Sequence, residues 1–233
     1  MWIHKLVHPI ALQILKRIHG LNVHILNDAP VTDSGVIYMA NHSCKWDFPV
    51  AASVITKHVY VLVGKQPLFF SDWMGFQING TIWVDRKDKT DRKNCYEKMK
   101  QMLFRDNRIL IFPEGTWNLT ESIPMLPIYR GGVKLAIDTG KPIITIAMEY
   151  VDKNCYVMFG EKIYVSLNED CNEVTTKVRD RFATLRWYIW EQLPFVTRAE
   201  IDSEMWNREK KRRLQEYPKL DYEYEKSVVL SKN

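Results

Sequence analysis

The eight residues Asn-His-Ser-Cys-Lys-Trp-Asp-Phe at positions 41 to 48 bring a histidine, a serine, a cysteine, a lysine and an aspartate together. Two chemistries fit such a set. In one, Cys44 or Ser43 is a nucleophile activated by His42; in the other, His42 is a base oriented by Asp47 and the residues between them span a turn. His42 and Asp47 are five residues apart, which on one continuous helix would set them about 140° apart, on different faces. They can meet if His42 sits in the loop leaving a strand and Asp47 caps the helix after it, with Pro49 in its first turn. There the carboxylate stays ionised, takes one imidazole N–H and leaves the other ring nitrogen free to accept a proton. The plain alternative is that His42 ends a strand and Asp47 caps a helix with no chemical task.

The surrounding pattern supplies the required strand and helix. "VIYMAN" is a short apolar run that ends at the motif, "PVAASVITKH" reads as a helix, and "VYVLVG" is a β-branched strand ending at Lys65. The alternation continues with "PLFFSDWMGFQI" as a helix, "TIWV" as a strand ending at Asp85 and Arg86, and "TDRKNCYEKMKQMLF" as a helix with Cys95, Met99, Met102 and Leu103 on one side. "RILIF" is a strand, "GGVKLAIDTG" a helix closed by Gly140, "PIITIAMEY" and "CYVMF" strands, and residues 170 to 193 a long helix. The sum is a single α/β domain with a mostly parallel or mixed central sheet flanked by helices. A short amphipathic helix from Pro9 to His19 precedes it, with Ala11, Ile14, Leu15 and Ile18 at helical spacing. The expected divisions are an N-terminal segment 1–27, a catalytic domain 28–206 and a charged segment 207–233 read as a surface helix fraying into a tail.

With 233 residues and 46% hydrophobic content, the chain can bury one sizeable core. The four cysteines, Cys44, Cys95, Cys155 and Cys171, lack the short paired spacing of a disulfide framework or zinc site, so reduced thiols in a cytosolic compartment are expected. No apolar run reaches the roughly 18 residues of a membrane span, so membrane contact is expected to be peripheral. The net charge of +5 is unevenly spread: no acidic residue precedes Asp28, while Lys5, Lys16 and Arg17 do. This end favours anionic surfaces, and the expected location is the inner face of a membrane. Nothing calls for a nucleic-acid partner.

Three later segments, "GTIWVDR", "IFPEGTWN" and "KPIITI", each end a predicted strand, where the loops of an α/β sheet converge on a ligand. Together with "NHSCKWD", in this order and spacing, they resemble the four sequence blocks of the glycerolipid acyltransferases of the lysophosphatidic acid acyltransferase type. The resemblance covers approximately residues 35 to 150. It implies that His42 is the general base for the acceptor hydroxyl as that hydroxyl attacks a fatty acyl thioester, and that Asp47 orients it. It also implies a substrate-binding role for Lys65, Arg86, Glu114, Gly115, Thr116 and Arg130, with Arg86 taking the acceptor's phosphate in a two-toothed contact.

The same resemblance implies an acyl thioester donor, acyl-CoA or acyl-ACP, a lysophospholipid acceptor, and no metal or other cofactor. Lysophosphatidic acid heads the acceptors, with glycerol 3-phosphate or another lysolipid as alternatives. Two positions depart from the pattern. Cys44 stands where serine is common, and Trp117 where arginine usually comes after the third block. The first keeps open a cysteine-dependent thiol hydrolase, and a lipid-binding module with a dead site is the third class. The second removes one positive charge from the expected phosphate region.

Overall fold

The computed structural model describes residues 20–120, 123–193 and 204–231, with isolated positions 13, 16, 17 and 202. Among the described residues, seven strands form one sheet: β1 (Asn22–Ile25), β2 (Val36–Ala40), β3 (Tyr60–Gly64), β4 (Thr81–Val84), β5 (Arg108–Ile111), β6 (Ile143–Val151) and β7 (Asn154–Phe159). The helices in chain order are α1 (Asp47–Val54), α2 (Phe70–Asn79), α3 (Lys89–Phe104), α4 (Gly131–Thr139), α5 (Cys171–Gln192), α6 (Met205–Gln215) and α7 (Tyr222–Leu230). The strand order is β1-β7-β6-β2-β5-β3-β4. All neighbours are parallel except β6 and β7, which form an antiparallel hairpin closed between Val151 and Asn154. The domain is therefore single and α/β with a mixed sheet.

Central strands are apolar throughout because both faces are covered. All five residues of β2 are buried. One face packs on Val50, Ala51 and Val54 of α1, with Phe76 of α2 at its margin. The other packs on Cys95, Met99 and Leu103 of α3, Val133 and Leu135 of α4, and Val174, Val178 and Phe182 of α5. The four-residue spacing of Cys95, Met99 and Leu103 puts them on one helical face, as the sequence predicts. Asp88 caps α3 by accepting from the N–H groups of Thr90 and Asp91, and Gly140 ends α4 at φ +65.

Three expectations change. The segment Asn22–Ile25, assigned from sequence to the N-terminal segment, is an edge strand parallel to β7; four residues of intermediate or high exposure carry no period to read. Helix α1 begins at Asp47 and ends at Val54, sooner than "PVAASVITKH" suggests; the β-branched run Val54-Ile55-Thr56 propagates a helix poorly. Third, the charged segment after residue 207 does not fray. It builds α6 and α7, which with the turn between them bury Tyr217, Tyr222 and Val229. The predicted amphipathic helix of residues 9–19 lies, apart from Gln13, Lys16 and Arg17, outside the described residues.

Candidate active site

His42 stands in the loop that leaves β2, and Asp47 is the first residue of α1. The imidazole Nδ1 and the Asp47 Oδ2 are 2.7 Å apart. The carboxylate does not cap the helix it starts, contrary to the expectation from sequence. It turns back on the loop, accepting the backbone N–H groups of Ser43 at 2.5 Å and Cys44 at 2.8 Å. Asp47 is wholly buried. Burial alone would raise its pKa, but the bond to His42 and these backbone donors outweigh it and hold the carboxyl below its usual range. With three donors on one oxygen the carboxylate fixes imidazole orientation, and an ionised partner at Nδ1 favours the tautomer that carries its proton there.

The remaining faces of His42 are also defined. Phe112 stacks on the ring at a centroid distance of 4.5 Å, and the Trp117 indole N–H donates to Nε2 at 3.0 Å. Trp117 thus sits on the nitrogen that would receive a proton. Sequence alone marks it as off-pattern without indicating this contact.

Cys44 is buried beside Asp47. Its Sγ donates to Asp47 Oδ1 at 3.5 Å, and burial together with the Asp47 charge pushes the thiol well above its ordinary pKa. A thiol so held is a poor nucleophile.

Glu114 and Thr116, expected to touch substrate, are spent on the protein. Glu114 is wholly buried; Oε1 accepts the His42 backbone N–H at 2.9 Å and Oε2 that of Leu126 at 2.9 Å. Burial overrides these two donors and pushes its pKa up to about 7. Its role here is to hold the loop carrying His42, a task reinforced where Asn118 N–H donates to the His42 carbonyl at 2.5 Å. Thr116 is buried and its hydroxyl is 2.7 Å from the Tyr217 hydroxyl. Gly115 adopts φ +73, and a Cβ there would meet Tyr129 Cε2 at 2.5 Å, so the turn requires glycine.

Arg86 lies just beyond β4 and reaches the same turn. Nη1 donates to the Gly115 carbonyl at 2.7 Å, Nη2 donates to Gln66 Oε1 at 3.2 Å, and Glu225 of α7 approaches Nη1 at 3.8 Å. Neither Asp88 nor Asp91, its sequence neighbours, is the partner; Asp91 pairs with Lys65 at 3.2 Å. Lys65 is exposed just past the end of β3, and it is its neighbour Gln66, not Lys65 itself, that bonds to Arg86. Arg130 is not drawn into this group. Its guanidinium donates to Asn172 Oδ1 of α5 at 2.6 Å on the exposed side of α4.

Residues that sequence reasoning missed come from the last two helices and the turn between them. Tyr217 packs edge-on against Trp117 at 5.1 Å, and Tyr222 accepts the Leu119 N–H at 3.2 Å. Arg213 donates to the Ser43 carbonyl at 3.4 Å, and Lys45 pairs with Glu216 at 2.9 Å. A readable signal existed: "YPKLDYEY" sets three tyrosines and a leucine within a charged run, and Asp221 caps α7 through the N–H groups of Glu223 and Tyr224.

A buried carboxylate, an imidazole at the carboxyl end of a parallel strand and a guanidinium on a nearby loop thus lie at the end of the sheet where α/β folds take their ligands. The family model described as Acyltransferase matches residues 20–149, and the chain belongs to that family. It is similar to 1-acyl-sn-glycerol-3-phosphate acyltransferase alpha of Ovis aries, 31% identical over 147 residues, which are 60% of this chain and 50% of the relative. It is also similar to 1-acyl-sn-glycerol-3-phosphate acyltransferase of Salmonella typhimurium, 30% identical over 139 residues, 58% of this chain and 55% of the relative. The matches thus span about half the length of these curated relatives. The crystal structure of the 1-acyl-sn-glycerophosphate (LPA) acyltransferase PlsC from Thermotoga maritima shares the fold, with a TM-score of 0.58 over 83% of each chain at 15% identity.

Proposed function

We propose that the chain transfers a fatty acyl group from an acyl thioester, acyl-CoA or acyl-ACP, to the free hydroxyl of a lysophospholipid, foremost lysophosphatidic acid, giving phosphatidic acid. The observation that carries this reading is the 2.7 Å contact of His42 Nδ1 with a wholly buried Asp47. It leaves Nε2 as the proton acceptor. As the hydroxyl oxygen bonds to the thioester carbonyl carbon, its proton passes to Nε2. The tetrahedral intermediate then collapses, the carbon–sulfur bond breaks, and the departing thiolate takes the proton from Nε2. A thioester is already activated, so a base and good positioning suffice without an acyl-enzyme, a metal or a redox group. The relatives named for 1-acyl-sn-glycerol-3-phosphate acylation support the choice of acceptor.

The buried, donor-engaged Cys44 speaks against the thiol hydrolase. Arg86 is the group for the acceptor's phosphate, which would replace its contacts with Gln66 and Glu225. The Trp117 N–H must likewise yield Nε2 to the hydroxyl. Among the described residues no helix is long and apolar enough to cross a membrane, and the reading is of a protein that meets its lipid at a cytoplasmic membrane surface.

The test is turnover of acyl-CoA and acyl-ACP against a panel of lysolipids and glycerol 3-phosphate. His42→Ala is expected to lose ~100- to 10,000-fold in rate while Cys44→Ser keeps most of it. A folded His42→Ala with wild-type turnover removes the mechanism, and an inactive, folded Cys44→Ser restores the hydrolase.

A further inference from the structure

Helix α2 is amphipathic the wrong way round. Phe70, Trp73, Met74 and Ile78 have the spacing that normally faces a core, yet they are 73%, 46%, 41% and 52% exposed. Phe69, just before the helix, is 41% exposed as well. The inward side is anchored by Phe76, stacked on Phe48 at 4.9 Å and edge-on to Trp83 at 6.0 Å. A ten-residue helix that turns its apolar stripe outward needs an occupant for that stripe.

We propose that this face of α2 docks on the apolar boundary of a lipid bilayer and is the side from which the site takes its acceptor. This rests on the acyltransferase reading above. Two features choose lipid over a protein partner. A groove of about 460 Å³ runs beside the helix, lined by the apolar Leu68, Phe70, Trp73 and Trp83 and by the polar Lys65, Gln66 and Gln77. Gln66 accepts from Arg86, so the groove links the outward face to the guanidinium. A molecule with an apolar tail and an anionic head matches both the apolar lining and the Lys65 and Arg86 cations, whereas a protein surface would match only the stripe. The rim also carries exposed cations: Lys65, and Lys219, whose Nζ lies 5.7 Å from the Phe69 ring centroid. Aromatic and aliphatic side chains below and lysines at the edge is the arrangement that suits the interface between hydrocarbon and anionic headgroups.

The experiment is sedimentation of the full chain with vesicles of phosphatidylcholine and phosphatidylglycerol, comparing wild type with Met74→Gln/Ile78→Gln. These two side chains lie on the outward stripe and are not among the walls of the groove. The double variant is expected to bind vesicles about 10-fold more weakly, from the apolar surface withdrawn, while its rate on a short-chain, monomerically dissolved acceptor stays at the wild-type level. In wild type, quenching by lipids brominated in the upper chain is expected, and Trp73→Phe is expected to reduce it. Equal vesicle binding by wild type and the folded double variant overturns the proposal. So does a wild-type dimer that the double substitution dissociates, since the stripe would then belong to a second copy, or vesicle binding that is lost only when residues 1–19 are removed. Weakened vesicle binding in a chain that turns over no acyl thioester upholds the docking face and sinks the catalytic reading instead.

Discussion

The two halves of the candidate site are built in opposite ways. The base half, His42 with Asp47, is oriented by contacts made inside one short loop, with Glu114, Trp117 and Asn118 meeting His42 from the neighbouring turn and Arg213 of α6 reaching the Ser43 carbonyl. The acceptor half, Arg86 with the Gly115 turn, is closed by side chains from the α6–α7 region about a hundred residues or more away in the chain, chiefly Tyr217, Tyr222 and Glu225. A buried carboxylate with three donors has one low-energy arrangement. A half-exposed guanidinium facing a carboxylate at 3.8 Å has several, and their exchange is inexpensive. On the proposed mechanism, proton transfer is thus preset and recognition is left adjustable.

The largest expected effect breaks the preset half. Asp47→Asn should lower kcat by ~100- to 10,000-fold with the acceptor KM little changed. A rise confined to KM would place Asp47 with recognition and dissolve the contrast.

Next in size is the pH response of Glu114, which ties the two halves. Its pKa rises from 4.5 to about 7 on folding, so between those values the folded chain holds a proton the unfolded chain has lost. The stability it contributes is complete below pH 4.5 and is lost as pH rises through 7. The shift corresponds to on the order of 3 kcal/mol. Urea denaturation from about pH 4 to about pH 8 should show wild type losing stability relative to Glu114→Gln by about that amount; parallel curves would mean the carboxyl ionises normally.

Arg86→Met should cost the acceptor roughly 10- to 150-fold in kcat/KM, mostly in KM, with Arg86→Lys recovering part, because lysine keeps the charge without the planar fork. Unchanged acceptor kinetics would remove Arg86 from the site.

The smallest effect sharpens the boundary between the halves. Trp117→Phe keeps the packing on Tyr217 and removes the N–H from His42 Nε2. One hydrogen bond is worth about 0.5 to 1.5 kcal/mol, so acceptor kcat/KM should rise roughly 2- to 10-fold as the hydroxyl no longer competes with the indole. A fall would make the indole a positioning group instead.

Legibility in the sequence divides along the same line. Residues close in the chain declare their geometry: the strand end before His42 and the helix start at Asp47 force the pair together. The alternation of helices and strands was equally legible, since both faces of a central sheet demand continuous apolar runs. A one-dimensional pattern withholds which side chain spends its polar atoms on the protein. Glu114 and Thr116 read as substrate ligands, and the pattern gives no sign that both are buried with their polar atoms meeting His42, Leu126 and Tyr217; nor does it show that Arg130 donates to Asn172. The clamp by Tyr217 and Tyr222 depends on chain closure over a distance that no local period records.

The edge strand β1 carries a consequence for biosynthesis. Asn22 registers with Asn154, and Asn27 exchanges two hydrogen bonds with the Phe159 backbone. At typical ribosomal speeds of about 5 to 20 residues per second, roughly 7 to 26 s separate the emergence of β1 from that of its partner. Throughout that interval the first strand has no ladder to join, and it stays open to a chaperone while β2 to β5 emerge. Closing β1 onto β7 is therefore expected to be a late step of folding during synthesis. Detaching the N-terminal residues should slow or prevent completion of that edge more than it disturbs the already assembled centre.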